Sequence, residues 1–184
     1  MGAANTSRLW RFWHWVTRLG VHPGLAPTEA KYVILNNTLV LFMSGVALAS
    51  IPINYQGLQG EQMLAALALP VVQAPMFLLS LVFAARGHAY LATLWFGAVA
   101  AASLIGQTWI IGRSTGIHFF LLLHAVGPFV LVPPRYRKWV FAQSALYFAC
   151  FLFALIGVPE PPLVAMPADL ARKIQDGNLT FLFV

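Results

Sequence analysis

Five side chains that could bind a ligand stand inside long apolar segments of the chain. They are Gln73, Gln107, Trp109, His118 and His124. A polar group in hydrocarbon is costly unless it is paired, so each polar side chain here needs a partner or a ligand. We interpret Gln107, Trp109 and His118, together with Gln73, as a pocket that opens at one end of a helix bundle. The alternative is ordinary hydrogen bonding between helices, worth about 0.6 kcal/mol per pair on average.

The two histidines are not expected to bind a metal together. His118 and His124 are six residues apart, which is about 240° around an α-helix, so they do not share a face. The sequence also has no glycine-rich phosphate loop, no HExxH motif and no pair of cysteines. We therefore predict no metal, no cofactor, no catalytic residue and no enzymatic activity for this chain.

The composition indicates that the surroundings of these residues are lipid. Of 184 residues, 60% are apolar and 9% are charged, whereas soluble domains average about 45–50% and about 25%. The formal net charge is +6. Because the basic residues flank apolar segments, we interpret the charge as setting orientation in a bilayer, and we expect no nucleic-acid partner. The predicted fold class is all-α, a polytopic transmembrane helix bundle.

The apolar segments predict five full spans and the start of a sixth helix. About 20 helical residues are needed to cross a ~30 Å hydrocarbon core. Asn36 and Asn37 lie in the first span and are interpreted as structural. We divide the chain into an N-terminal segment (1–27), a five-span bundle (28–158) and a proline-rich linker with a partial sixth helix (159–184). The predicted spans cover residues 32–53, 62–85, 89–111, 117–132 and 139–158, with a polar turn at 54–60 after the first span.

Aromatic and basic residues mark the membrane interface. In the N-terminal segment they alternate too closely for a span, which predicts an amphipathic helix lying on the membrane surface. If the N-terminus is cytoplasmic, eight Lys and Arg residues lie on that side and three on the other, which is a positive-inside bias. The predicted interface residues are Arg8, Trp10, Arg11, Trp13, Trp15, Arg18, Arg135, Arg137 and Lys138.

Several short motifs have a familiar arrangement. Residues 24–27 and 29–37 read GLAP and EAKYVILNN, residues 116–120 read GIHFF, and residues 133–137 read PPRYR. With the proline linker and residues 170–178, they resemble the six-helix membrane modules at the N-terminus of bacterial class III adenylate and guanylate cyclases. Similar modules precede some diguanylate cyclases and sensor kinases. The resemblance implies an input and anchor module in the bacterial inner membrane, whose sixth helix leads to a cytoplasmic output domain that this chain lacks.

Two functions remain open at this point. The first is a receptor-like sensor or anchor module, acting as a homodimer on a small or lipid-soluble ligand, in a chain that is a fragment of a longer protein. The second is a non-catalytic accessory subunit packed by helix contacts into a larger membrane complex. A transporter is disfavoured because the five acidic residues all fall at predicted span ends or in loops.

Overall fold

The computed structural model describes residues 3–57, 61–164 and 168–183. Within these ranges the chain forms α-helices joined by short turns, and no strand occurs. Short 3₁₀ turns at Arg113–Thr115 and Ile117–Phe119 precede the fifth helix, and a π-helical turn at Phe153–Gly157 extends the sixth. The helices are α1 (Ala3–Thr17), α2 (Pro27–Gly57), α3 (Glu61–Ala85), α4 (Ala89–Ile111), α5 (Phe120–Leu131), α6 (Arg137–Leu152) and α7 (Ala168–Phe183).

Four helical segments are long and apolar enough to cross a membrane. They are Pro27–Ala49, Leu67–Ala85, Ala89–Ile111 and Arg137–Gly157. The expectation of an all-helical chain with membrane-crossing helices is confirmed at this level. A fifth apolar segment, Ile117–Leu131, is shorter.

The predicted polar turn after the first span is largely helical. α2 continues through Gly57, so the turn predicted at 54–60 does not begin where the sequence suggested, and positions 58–60 lie outside the described residues. Continuing a helix pairs the backbone N–H and C=O groups, which a turn near hydrocarbon would leave unpaired. This accounts for the later helix end.

Contacts between the first residues of these helices show that α2, α4 and α6 start at the same end of the bundle, called here the basic end. The Glu29 carboxylate pairs with Arg135 Nε at 3.1 Å, which joins the start of α2 to the turn before α6. The rings of Tyr90 and Tyr136 stack with centroids 4.6 Å apart and bring the start of α4 to the same place. Gln143 of α6 donates to the Tyr90 hydroxyl at 3.2 Å. The five helices α2 to α6 therefore alternate in direction.

The other end of the bundle, called here the far end, holds the α4–α5 connection, the linker and α7. Arg113 in the connection pairs with Glu160 of the linker at 2.8 Å. The backbone N–H groups of Leu163 and Val164 donate to carbonyls at the end of α4, at 3.3 and 2.8 Å. The linker segment 158–164 is non-helical, as its prolines predict. It lies against the end of α4 and leads towards α7.

The outer surface of the bundle is unlike that of a soluble protein, although its interior also holds an apolar core. Large apolar side chains on the outer faces are exposed, including Phe42 at 53%, Phe129 at 53% and Phe141 at 60%. Polar side chains are inside instead. Lipid can solvate the outer apolar groups but cannot pair the polar ones, so this distribution fits a chain whose solvent is hydrocarbon. The buried polar residues within α2, α3, α4 and α6 are Asn36, Asn37, Ser44, Gln73, Ser80, Thr93, Ser103, Thr108 and Gln143.

α4 lies at the centre of the bundle and contacts α2, α3, α5 and α6. At Gly97 the side chain of Tyr147 on α6 lies directly against α4. A Cβ atom added at Gly97 would lie 2.0 Å from the hydroxyl of Tyr147. Tyr147 is 4% exposed and belongs to an apolar cluster with Ala101, Leu121 and Phe151. The absent side chain at Gly97 therefore sets the spacing between α4 and α6.

The C-terminal end of α1 is fixed to the bundle at the basic end. Asn37 Nδ2 donates to the carbonyl oxygens of Thr17, at 3.1 Å, and Leu19, at 2.9 Å. Gly20 follows with φ +86°, and a Cβ there would lie 2.1 Å from the carbonyl oxygen of Ala84 at the end of α3. Val16 is 5% exposed and joins the apolar cluster of α2, α3 and α4. The side chains at positions 8–15 are all exposed, so the rest of α1 projects from the bundle.

Candidate ligand-binding site

The predicted site residues fall into separate environments, and one pair of them is in contact. Gln107 Nε2 on α4 lies 3.5 Å from Gln73 Oε1 on α3. Gln73 is 9% exposed, and it occupies the stretch between Pro70 and Pro75 of α3. This contact is the interhelical hydrogen bond of the alternative interpretation, and it holds α3 and α4 together near their far-end halves.

His118 is the most unusual polar residue at the far end. It lies in the 3₁₀ turn before α5 and is 3% exposed. Its ring packs against Phe119, with centroids 4.4 Å apart, and against Phe151 of α6, with centroids 6.1 Å apart. The Nδ1 atom is buried and has no hydrogen-bond partner. Leaving such an atom unpaired costs about 1–3 kcal/mol, so His118 offers a binding atom that the fold itself does not use.

His124 has a different role, although it faces the same helix. Its Nδ1 lies 3.1 Å from the carbonyl oxygen of Phe120, and its ring meets Tyr147 edge-on at 6.1 Å. Tyr147 and Phe151 are one turn apart on α6, so both histidines pack towards α6. They contact different residues of α6, and that they do not bind one metal together stays a prediction. His118 lies in the 3₁₀ turn at Ile117–Phe119, and His124 lies in α5.

The connection that carries His118 is bound directly to α7. Asn178 Nδ2 on α7 donates to the carbonyl oxygen of Thr115 at 2.9 Å. Gly116 has φ +69°, and a Cβ there would lie 3.3 Å from Cγ of Gln175. Thr115 is fully buried, and its hydroxyl donates to the Gly112 carbonyl at 2.9 Å. α7 therefore packs closely over the backbone two to three residues before His118.

Arg113 fixes the other side of the same connection. Besides its pair with Glu160, its guanidinium donates to the carbonyl oxygen of Leu155 in the π-helical turn of α6. A π-helical turn changes the register of backbone hydrogen bonds, and Arg113 supplies a donor to this one. Positions 112–116 lie between two predicted spans. The signal that could have been used is the single basic residue in this short connection, with Glu160 as the nearest acidic residue after it.

The remaining predicted residues are exposed. The Trp109 indole is 49% exposed, while its backbone carbonyl accepts from Leu163. At the basic end Arg135 lies 4.8 Å from the centroid of the Tyr136 ring, and Lys138 lies 5.9 Å from that of Trp139. Seven further predicted interface residues are exposed, six in the N-terminal segment and one at the basic end: Arg8, Trp10, Arg11, Trp13, Trp15, Arg18 and Arg137.

Among the described residues, no three His, Cys, Asp or Glu side chains come together as a metal site would require. At the far end, one buried and unpaired imidazole nitrogen lies beside two phenylalanine rings, next to a connection fixed by α7 and by Arg113. An imidazole nitrogen can donate or accept one hydrogen bond, depending on the tautomer.

The fold and this site together define an all-helical bundle with helices that can cross a membrane and a buried polar residue near one end. Comparisons with protein-family models, with curated proteins and with solved structures found no match.

Proposed function

We propose that this chain is a membrane-embedded, receptor-like module that senses a small or lipid-soluble ligand and relays the signal through α7. In this proposal α2 to α6 cross the bacterial inner membrane five times, α1 lies at the cytoplasmic interface, and α7 begins a sixth helix. The observation that supports it best is that Asn178 of α7 is hydrogen-bonded to Thr115, in the connection that leads to His118. Binding and relay would therefore share one short connection.

The proposed relay is a shift between two packings of α7. Its contacts on the connection are few: the Asn178 hydrogen bond, the Gln175–Gly116 contact and the buried Ala171. A ligand that pairs with His118 Nδ1 in one packing and not in the other would bind the first more tightly. It would shift the populations of the two packings by the ratio of its two affinities. A hydrogen bond worth about 1.4 kcal/mol would shift it about tenfold.

Pulsed electron–electron double resonance on the chain in a bilayer tests this relay. Spin labels at Asp176→Cys on α7 and Ala98→Cys on α4, with Cys150→Ser, report the distance between the exposed faces of the two helices. We expect two distances whose populations change in His118→Ala. His124→Ala is the matched control, because His124 packs on the same helix α6 but lies further along α5, and it should leave the populations unchanged. A single distance, or populations that ignore His118→Ala, would reject the relay.

The output partner is tested separately, through the reading frame beyond residue 184. A cyclase or kinase domain there would support the signalling assignment, and an immediate stop codon would oppose it. The accessory-subunit hypothesis is the alternative, and the small residues of α4 do not decide between the two: Gly97 and Ala101 are buried inside this chain, whereas Ala98 and Ala102 are exposed. A stoichiometric partner co-purifying with the chain would favour that hypothesis, and a homodimer alone would favour the sensor.

A further inference from the structure

A groove at the basic end is lined by cationic and aromatic side chains. It encloses about 630 Å³ between the C-terminal half of α1 and the turn that follows it. Residues 1–28 contain no acidic residue, and none lines the groove. Its lining residues are Trp10, Arg11, His14, Trp15, Arg18, Leu19, Gly20 and Val21.

The spacing of these residues produces a cationic row with an aromatic wall on each side. At about 100° per residue, Arg11, His14 and Arg18 fall within about 60° of one another. Trp10 and Trp15 lie about 40° beyond the two edges of this row. The rings of Trp10 and His14 are 6.5 Å apart. Arg18 follows the last helical residue, and its N–H donates to the Trp15 carbonyl at 3.2 Å, which keeps it close to the row.

The groove has a fixed floor because the following turn is anchored. Asn37 holds the backbone at Leu19, and Gly20 lies against the carbonyl of Ala84. Val21 N–H donates to the Arg18 carbonyl at 2.9 Å and closes the turn. Arg18 is thus presented from a backbone whose position is set by α2 and α3, and the helix carries Arg11 about two turns before it. A preformed site loses less conformational entropy on binding than a flexible tail would.

The depth of the groove matches the headgroup region of a bilayer. Asn37, which docks α1, lines a small void together with Ala84, Ala89 and Leu131. These three residues stand at the end of α3, the start of α4 and the end of α5. The docking point of α1 is therefore level with the ends of these helices. Helices that cross a bilayer end at its interface. The opposite face of α1 carries Leu9, Phe12 and Trp13, which are 66%, 59% and 41% exposed and have the character of a membrane-facing surface.

We infer that this groove binds the phosphate of an anionic phospholipid headgroup, with Arg11 and Arg18 as its charged contacts and Trp10 and Trp15 beside the lipid. Guanidinium groups suit phosphate because they present several donors in a fixed planar arrangement. Basic residues near the surface of a membrane attract anionic lipids, and basic pockets beside transmembrane helices bind their headgroups. The membrane, not the surrounding water, is the source of the phosphate, because the site lies at the depth where headgroups are most concentrated.

Native mass spectrometry of the purified full-length chain in detergent tests this inference. The chain is titrated with phosphatidylglycerol, with phosphatidylcholine and, as the soluble source of the same chemistry, with inorganic phosphate. We expect phosphatidylglycerol to bind at least tenfold more tightly than phosphatidylcholine. Arg11→Gln/Arg18→Gln should weaken phosphatidylglycerol binding on the order of 30-fold, from two surface cations. Circular dichroism checks that the variant keeps its helix content.

The matched control removes the same charge at the same end of the bundle. Arg137→Gln/Lys138→Gln alters two exposed cations outside the groove and should leave the preference for phosphatidylglycerol unchanged. An equal loss in both double variants would show diffuse attraction and overturn the site. Equal binding of the two lipids would overturn it as well. Inorganic phosphate binding at the same concentrations, and displacing the lipid, would assign the groove to a soluble anion instead.

Discussion

The docking of α1 rests on one buried amide, which makes Asn37→Leu the most informative substitution. Asn37 is fully buried, and its Nδ2 donates to two carbonyls that no further helical turn can satisfy, those of Thr17 and Leu19. Each hydrogen bond contributes about 0.5–1.5 kcal/mol net, so their loss should weaken docking by about 2 kcal/mol. That corresponds to about a 30-fold rise in the undocked population. The leucine also removes the unpaired Oδ1 of Asn37, so overall stability should change less than docking does.

Limited trypsin digestion in detergent measures this population, because cleavage after Arg18 requires the anchored turn to open. When opening is fast relative to cleavage, the rate follows the undocked population. We expect cleavage after Arg18 to accelerate about 30-fold in Asn37→Leu, while cleavage after Lys173 keeps its rate. Asn36→Leu is the matched control, since Asn36 is equally buried but lies 3.5 Å from Ser80 Oγ on α3 and has no bond to α1. An unchanged rate in Asn37→Leu, or an equal acceleration in Asn36→Leu, would refute the reasoning.

Three further experiments test other contacts. In the same digestion, Gly20→Ala should undock α1 by at least as much as Asn37→Leu does. The φ of +86° is unfavourable for alanine, and the added Cβ would lie 2.1 Å from the carbonyl oxygen of Ala84. Wild-type protection of the variant would contradict this. Gly97→Ala should lower the melting temperature in detergent. Adding Tyr147→Phe should restore part of the loss, because it removes the hydroxyl that the new Cβ would meet. If the double variant melts no higher than Gly97→Ala, the strain lies elsewhere. Gln73→Leu and Gln107→Leu should each lower the free energy of unfolding by about 0.6 kcal/mol. The double variant should lose no more than either single one, because both remove the same 3.5 Å contact. Additive losses in chemical denaturation would mean that the two amides do not interact.

The helices of this chain were largely predictable because hydrophobic length is a direct requirement of the bilayer. The segments 89–111 and 62–85 match α4 and α3 to within one residue. The bundle was predicted to begin at residue 28, and α2 begins at Pro27, with Glu29 and Lys31 ahead of the apolar run that starts at residue 32. Those residues continue the helix beyond the apolar stretch, and Glu29 is held there by Arg135.

The candidate site was less predictable, because it depends on contacts between segments far apart in the chain. The pairing of Gln73 with Gln107 could be anticipated, since both are amides at the far-end halves of neighbouring helices. The contact of Asn178 with Thr115 spans 63 residues and involves a backbone carbonyl that no side-chain pattern indicates. Likewise, His118 lies in a 3₁₀ turn, which apolar periodicity does not distinguish from the start of an α-helix.

The short fifth helix has a consequence for the lipid around it. From Ile117 to Leu131 the segment has one 3₁₀ turn and twelve α-helical residues, a length of about 24 Å. For α5 to cross a hydrocarbon layer of about 30 Å as we propose, the bilayer beside it must thin by several ångströms. Lipids with shorter acyl chains would then be favoured along this side. The environment of the far-end connection would therefore depend directly on the thickness of the membrane.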